Sequence, residues 1–314
     1  MELGAVGICC AKVSEAEVMA ASGIDKILIT SPVVTKEKID RVIALASRAP
    51  GLQIVVDQVW NAKDLNHAAG AVGIRLGVVL DIDSGLGRTG IAPGEPAVEL
   101  ARAIAKLPHL VLGGAQCYGG HAMHVKRFDR RKARSLEFMN AALETRNRIQ
   151  QEGIKLPVFS GGGTGTYNID SALPGLTDLQ CGSYPVMDVQ YGILEDPDGR
   201  PMFDAFPSAM YVWSTAISQP VSNQITIDAG LKALYRDSPN HLVRDITGVT
   251  YDIGGDEHGI LMLDSPSRPI EIGDKLAIIP AHCDPTINLY DRFHVCRNGQ
   301  IEEIWPISAR GMSQ

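Results

Sequence analysis

Arg75-Leu76-Gly77-Val78-Val79-Leu80-Asp81-Ile82-Asp83-Ser84-Gly85-Leu86-Gly87-Arg88-Thr89-Gly90 is the stretch on which the architecture turns. Its first part, Arg75–Asp81, is a short apolar run of the kind a buried strand needs. Its second part breaks into carboxylates and glycines and leads to a helix-forming stretch, Ala97–Leu107. The same succession recurs on both sides of it up to about residue 190. Strands are expected at Val6–Ala11, Lys26–Thr30, Gln53–Asp57, Leu110–Cys117, Val158–Ser160 and Asp178–Tyr184, and helices at Ser14–Ser22, Lys36–Ala49 and Arg127–Glu152. Ser14 with Glu17 predicts a capping box on the first helix, and Thr35 a cap on the second. Repeated βα units with short connections imply a parallel sheet, open or closed into a barrel. Polar residues gather just after the strands: Lys12, Asp57-Gln58, Asp81 and Asp83, Tyr118, His121 and His124, then Ser160–Thr166. A barrel collects such strand ends in one ring and an open sheet spreads them along a line, so the pattern favours a TIM-like (β/α) barrel.

Seven strands are visible where a closed barrel of this kind uses eight, and the first begins within a few residues of Met1. The expectation is therefore an α/β barrel over residues 1–205 that lacks its first strand, with Val6–Ala11 as an exposed edge. After residue 206 the texture changes to runs rich in β-branched residues separated by turn signals: Ala209–Ser218, Gln224–Asp228, Ile246–Tyr251, Gly259–Leu263, Lys275–Pro280, Phe293–Arg297 and Ile301–Trp305. Asn298-Gly299 between the last two is a hairpin signal, and residues 206–314 read as an antiparallel β domain.

Composition narrows the class. The 314 residues carry 36 acidic and 29 basic side chains, a net charge of −7 without a long basic run, which argues against a nucleic-acid partner. Aromatic residues make up only 5%, too few for base-stacking platforms. No apolar stretch is long enough to span a membrane, and the six cysteines lack C-x-x-C spacing, so a cytoplasmic enzyme with reduced thiols is the default expectation.

Four features can carry chemistry. Ser160-Gly161-Gly162-Gly163-Thr164-Gly165-Thr166 follows a strand directly; its glycines let backbone N–H groups converge on an anion, and Gly182-Ser183-Tyr184 can complete the cradle. A flexible glycine linker is the plainer alternative. Arg88, in a glycine-rich connection, can donate to a ring nitrogen or a carboxylate, or simply pair with Asp81 or Asp83. Tyr118, His121 and His124 follow a strand end, where one can act as general base or all can be polar loop residues. Finally, His282 and Asp284 in Ala281-His282-Cys283-Asp284-Pro285 follow the strand-like Lys275–Ile279. Two residues apart on a strand they would share a face and could hold one divalent cation, with Cys283 turned away, or they orient the turn before Pro285.

With these residues in view, the chain resembles the pyridoxal-phosphate enzymes with an alanine-racemase-like barrel, in the branch of D-threonine aldolase and D-serine dehydratase. The similarity runs over essentially the whole chain, through Gly7–Glu17, Asp81–Gly90, Tyr118–His124, Ser160–Thr166, Gly182–Tyr184 with Met187-Asp188, Asp228–Lys232, Asp256–Gly259 and Pro280–Tyr290. The resemblance implies pyridoxal 5'-phosphate as cofactor, its phosphate held by Gly162, Gly163, Thr164, Gly182, Ser183 and Tyr184. Arg88 would meet the pyridine nitrogen, while Tyr118 and His124 would stand near the reacting carbon. His282 and Asp284 would ligate a divalent metal, with manganese, zinc, magnesium and cobalt undistinguished. The aldolase branch carries H-x-D there and the dehydratase branch typically H-x-C, so His-Cys-Asp favours retro-aldol cleavage of D-threonine and related D-3-hydroxy amino acids to glycine and an aldehyde. The alternative is dehydration to a keto acid and ammonia. A small-molecule amino-acid substrate and a homodimer in the complete form are implied as well.

One departure stands against the matches. The family's Schiff-base lysine lies at the end of the first barrel strand in an Arg-Pro-His-x-Lys type segment, and nothing in residues 1–314 resembles it. This agrees with the strand count. Lys12 also stands at a strand end but matches a different family position. The expectation is a fragment, a shortened gene product or a degenerate relative with impaired cleavage. A catalytically silent pyridoxal-phosphate-binding protein is a second reading. A phosphosugar-processing barrel is a third, which explains the glycine-rich loop but not the β domain.

Overall fold

The structure, a computed structural model, describes residues 2–314. Parallel strands sandwiched between layers must be apolar on both faces, and the central strands β3 (Gln53–Val56) and β4 (Leu76–Asp81) meet that demand. Ile54, Val55, Val56, Val78, Val79 and Leu80 have no exposed surface at all. Around them lie β1 (Ile8–Cys10), β2 (Ile27–Ile29), β5 (Leu110–Cys117), β6 (Val158–Gly161) and β7 (Asp178–Leu179). The connections contain α1 (Val13–Ala21), α2 (Lys36–Ala46), α3 (Val59–Ala71), α4 (Glu95–Ile104), α5 (Phe128–Gln151) and the one-turn α6 (Tyr167–Asp170). Apolar stripes such as Ile39, Val42 and Ile43 on α2, and Val98, Ala101 and Ile104 on α4, turn into the same core as the strands.

All seven strands form one parallel sheet in the order β1-β2-β3-β4-β5-β6-β7, curled but open. Among the described residues β1 pairs only with β2 and β7 only with β6, so the expected edge is present, but it is limited to Ile8–Cys10 instead of the whole of Val6–Ala11. Two local expectations are corrected. The first helix begins at Val13 and not at a Ser14–Glu17 box: Glu15 Oε2 accepts the N–H groups of both Ala11 and Lys12, Glu17 pairs with Arg41, and Ser14 Oγ donates to the carbonyls of Met312 and Gln314. The seventh strand ends at Leu179 instead of Tyr184, because the turn formers Gly182 and Pro185 take the chain out of the ladder. Thr35 does cap α2, accepting the N–H of Lys38.

The second unit is antiparallel. Strands β8 (Val212–Val221), β9 (Gln224–Ile227), β10 (Leu242–Val243), β11 (Val249–Ile253), β12 (Gly259–Leu263) and β13 (Lys275–Ile279) form a six-stranded sheet in the order β10-β13-β8-β9-β12-β11. Ile225, Ile227, Leu261, Leu276 and Ile278 alternate inward to make its core. The short helices α7 (Val189–Gly192) and α8 (Cys283–Ile287) and a separate hairpin, β14 (Arg292–Arg297) with β15 (Gln300–Pro306), complete it. The hairpin turns at Asn298 and Gly299, both with positive φ (51° and 78°), as the Asn-Gly signal requires. The two compact units comprise residues up to Val125, Asp129–Cys181 and Met312–Gln314 in the first, and Lys126–Phe128 with Gly182–Gly311 in the second. The first boundary between them thus precedes residue 206, where the sequence texture changes. No helix among the described residues is long and apolar enough to cross a membrane. All six cysteines are unbridged, with Cys10, Cys117 and Cys283 buried.

Candidate active site

In the first unit the carboxyl ends of the strands are joined by side chains. β5 slips by one residue against β4 between Val78 and Val79, opposite Gly113, and this bulge sets the facing of its last residues. Gln116 then lies beside Asp81 and donates to its Oδ1 (2.9 Å). Gln180 Nε2 donates to both Gln116 Oε1 (3.1 Å) and Ser160 Oγ (3.0 Å), and Ser160 Oγ donates to Asp178. Burial raises the pKa of Asp81, with the Gln116 amide opposing it, and its Oδ2 has no hydrogen-bond partner among the described residues. Asp81, Thr89, Gln116, Arg88 and Tyr118 line a small pocket at this end of the sheet.

Arg88 is exposed and its guanidinium carbon lies 5.3 Å from the centre of the Tyr118 ring, a cation–π distance. It makes no ion pair with Asp81 or Asp83 among the described residues; Asp83 Oδ1 instead accepts the N–H groups of Gly85 and Gly87, shaping the loop that carries Arg88. Of the histidines after β5, His124 is exposed, whereas His121 packs on Phe138 (5.2 Å between ring centres) and burial lowers its pKa. The turn 162–166 lies against the same 118–124 segment. A Cβ on Gly165 would stand 2.1 Å from the Met123 carbonyl oxygen, and one on Gly163 would lie 3.0 Å from Met123 Sδ and 3.6 Å from Tyr118 Cε2. Glycine is required for so close an approach. Arg88, Tyr118 and Gly162–Thr164 are thus gathered at one end of the sheet, with His124 at the far end of the 118–124 segment, an arrangement that fits a flat ring bearing an anionic group. A larger groove of about 810 Å³ lies between α2 and α3, along Val34, Ile43 and Val72, and contains none of the predicted site residues.

The second unit holds His282 and Asp284. They do not share the face of a strand: β13 ends at Ile279, His282 is the N-cap of α8, and Asp284 lies in its first turn. The helix start still turns them to one side, with His282 Nε2 3.9 Å from Asp284 Oδ2. Cys283 is fully buried, as the alternation predicted, and its thiol donates to Asp284 Oδ1 (3.2 Å). Sequence reasoning named Asp188 only within a family-matching segment and missed its role in arranging them. Asp188, with no exposed surface, caps α7 through the Tyr191 N–H and accepts from the Cys283 N–H (2.8 Å) and His282 Nδ1 (3.0 Å). Burial alone would raise the Asp188 pKa, but these donors hold it below the usual carboxylate range. The His282 pKa moves up: burial opposes the charge, and Asp188 with Asp284 outweighs it. An ionised Asp188 fixes the proton on Nδ1, so the neutral imidazole presents its lone pair at Nε2, towards Asp284. One imidazole nitrogen and one carboxylate so placed fit a divalent cation. Asp188, His282 and Cys283 also have ligand atoms within 4.8 Å of one another. Burial raises the Cys283 thiol strongly, so the hard donors His282 and Asp284 remain the better pair. Of the remaining predicted residues in this unit, Ser183 is buried, while Gly182 and Tyr184 are exposed and Tyr184 packs edge-on to Phe206.

A curled parallel sheet with a glycine turn at its strand ends, followed by an antiparallel β domain with a His–Asp pair, defines a class. Residues 1–184 match the alanine racemase N-terminal domain, and residues 209–296 match a putative serine dehydratase domain. The chain is 38% identical over 309 residues to a 3-hydroxy-D-aspartate aldolase of Paracoccus denitrificans, covering 98% of this chain and 79% of that protein. It is 34% identical over 314 residues to a D-threonine aldolase of Arthrobacter sp., covering 100% and 82%. The crystal structure of D-threonine aldolase from Filomicrobium marinum superposes with a TM-score of 0.93 at 37% identity, over 100% of this chain and 84% of that one. The chain belongs to the D-threonine aldolase-like lyases of the alanine racemase fold.

Proposed function

We propose that this protein binds pyridoxal 5'-phosphate and a divalent cation and is built for retro-aldol cleavage of D-threonine and related D-3-hydroxy amino acids to glycine and an aldehyde. The observation that carries the reading is the His282–Asp284 pair with Asp188 behind it, a hard oxygen-and-nitrogen donor set where the dehydratase branch typically has cysteine. Bound pyridoxal phosphate would supply the electron sink for breaking Cα–Cβ, and the cation would polarise the β-hydroxyl. Gly162, Gly163 and Thr164 would hold the phosphate, and Gly182, Ser183 and Tyr184 are the further phosphate residues that the family resemblance implies; Arg88 would serve the pyridine nitrogen and, with Tyr118, would keep the ring in place. His124, exposed on its turn, takes the hydroxyl proton at an imidazole nitrogen, and Tyr118 orients the reacting carbon. The protein acts in the cytoplasm as a homodimer on a small amino acid.

We assign no imine-forming lysine within residues 1–314. Lys12, exposed at the start of α1, is not given that role. Cofactor binding by this chain is therefore reversible and turnover no more than trace. The test is to add pyridoxal phosphate and manganese to the chain with D-threonine, and to follow absorbance at roughly 400–430 nm, borohydride trapping and products. Weak reversible binding, no trapped adduct and trace glycine are expected. A pyridoxyl adduct on Lys12 with substantial turnover would overturn the lysine assignment, and a keto acid with ammonia would overturn the aldolase reading.

A further inference from the structure

Behind the glycine-rich turn lies a buried carboxylate that the reaction does not use. Asp170 ends α6 with no exposed surface, and it receives the hydroxyl hydrogens of Ser135 (2.6 Å), from the buried face of α5, and of Thr166 at the far end of the turn. The near end lies close to it as well. Gly162 has φ of +64°, and a Cβ there would lie 2.7 Å from Asp170 Oδ2. One carboxylate thus lies close beside the near end of the turn, bonds the far end through Thr166 and ties that end to α5.

Stability alone is a poor reason for this arrangement. Burial penalises the charge on Asp170, and the two hydroxyls only partly offset it. An apolar side chain of that size would fill the space without the penalty. What an apolar side chain cannot do is hold Thr166 and Ser135 at fixed angles, because hydrogen bonds are directional and packing is not.

We propose that Asp170 is a positioning residue that, through Thr166, holds the turn 162–166 in the shape that receives a phosphate monoester. The proposal rests on the reading of this turn as the cofactor's phosphate cradle. It separates from a plain folding role in one respect: loss of the Asp170–Thr166 link harms recognition of the phosphate and not of the pyridine ring.

Pyridoxamine 5'-phosphate and pyridoxamine differ only in that phosphate, and neither needs a lysine to bind. Their affinities for the full chain are read by calorimetry, with thermal unfolding as a check on folding. The unsubstituted protein is expected to prefer the phosphorylated ligand. Asp170→Asn and Thr166→Val should each weaken it by about tenfold, the equivalent of one hydrogen bond to a charged group. Pyridoxamine affinity should stay unchanged, Thr166→Ser should restore phosphate affinity, and the double variant should lose no more than the worse single one. If Asp170→Asn does not fold, the Thr166→Val and Thr166→Ser pair decides alone. Unchanged preference in folded variants, or equal loss of both ligands, overturns the role of Asp170. No preference in the unsubstituted protein overturns the cradle reading, and this proposal with it.

Discussion

Asp188 shows what one buried side chain does for residues 94 positions away. Three donors converge on it, so it stays ionised, fixes the His282 tautomer and anchors the start of α8. Outer partners of this kind typically set metal affinity by about 10–100-fold. Asp188→Asn should weaken manganese binding by about that much without unfolding the protein; calorimetric affinity equal to that of the unsubstituted chain would remove Asp188 from the role. His282→Ala should abolish the site. A second buried residue, His241, is 4% exposed, accepts the Ala281 N–H at Nδ1 and lies 4.7 Å edge-on to Tyr251. Burial depresses its pKa to about 4, so between that value and 6.5 the unfolded chain binds a proton that the folded chain does not. Its contribution is fully present above pH 6.5 and falls away as pH drops towards 4, by up to roughly 3 kcal/mol. Urea unfolding at pH 7 and pH 5 checks this: His241→Gln should flatten the fall, and an identical slope in both proteins would count against the assignment. His282 and Asp284 are legible in the sequence as a spaced pair. Asp188 is not, because no local pattern marks a residue whose partners are brought to it by the fold.

At the scale of elements, the bulge in β5 sets Gln116 in the first unit's pocket, and the turn 162–166 packs against the 118–124 segment. The turn depends on glycine for close backbone approach, with Gly165 against the Met123 carbonyl, where a Cβ would lie at 2.1 Å; in the bulge a Cβ on Gly113 would lie 2.3 Å from the Gln53 side-chain amide. The Gln53 side chain can move aside, but the Met123 backbone cannot. Gly165→Ala should therefore cost about 1–3 kcal/mol and displace the 118–124 segment that carries Tyr118 and His124. A thermal midpoint unchanged from the parent protein would contradict that. The βα alternation of this unit follows from its sequence period. The cap on α1 does not: Ser14–Glu17 and Lys12–Glu15 have the same spacing, and the C-terminal carbonyls of Met312 and Gln314 claim the Ser14 hydroxyl. The pair at 282 and 284 carries a related lesson, since a strand reading and a one-turn helix both bring its side chains to one side.

At the scale of the whole molecule, the open sheet presents two edges, β1 and β7. An unpaired parallel edge is a template for pairing with another chain. Self-association that rises with concentration is expected, and Cys9→Lys, an exposed position in the three-residue β1, should reduce it in light scattering. Scattering indifferent to that charge would show that the edge is not the contact. The sequence by itself determined the parallel βα layer, the antiparallel second unit and the edge strand at the start of the sheet, because periodicity and turn chemistry are local properties; it singled out the glycine turn, Arg88, Tyr118, His282 and Asp284 only as candidates, by side-chain type, position and family resemblance. Only the tertiary structure decided that Arg88 lies over Tyr118 and, among the described residues, makes no ion pair with Asp81 or Asp83, that Asp188 holds His282, and that Asp170 links Thr166 of the glycine turn to Ser135 of α5. Those facts depend on distances between segments far apart in the chain, which are set by packing.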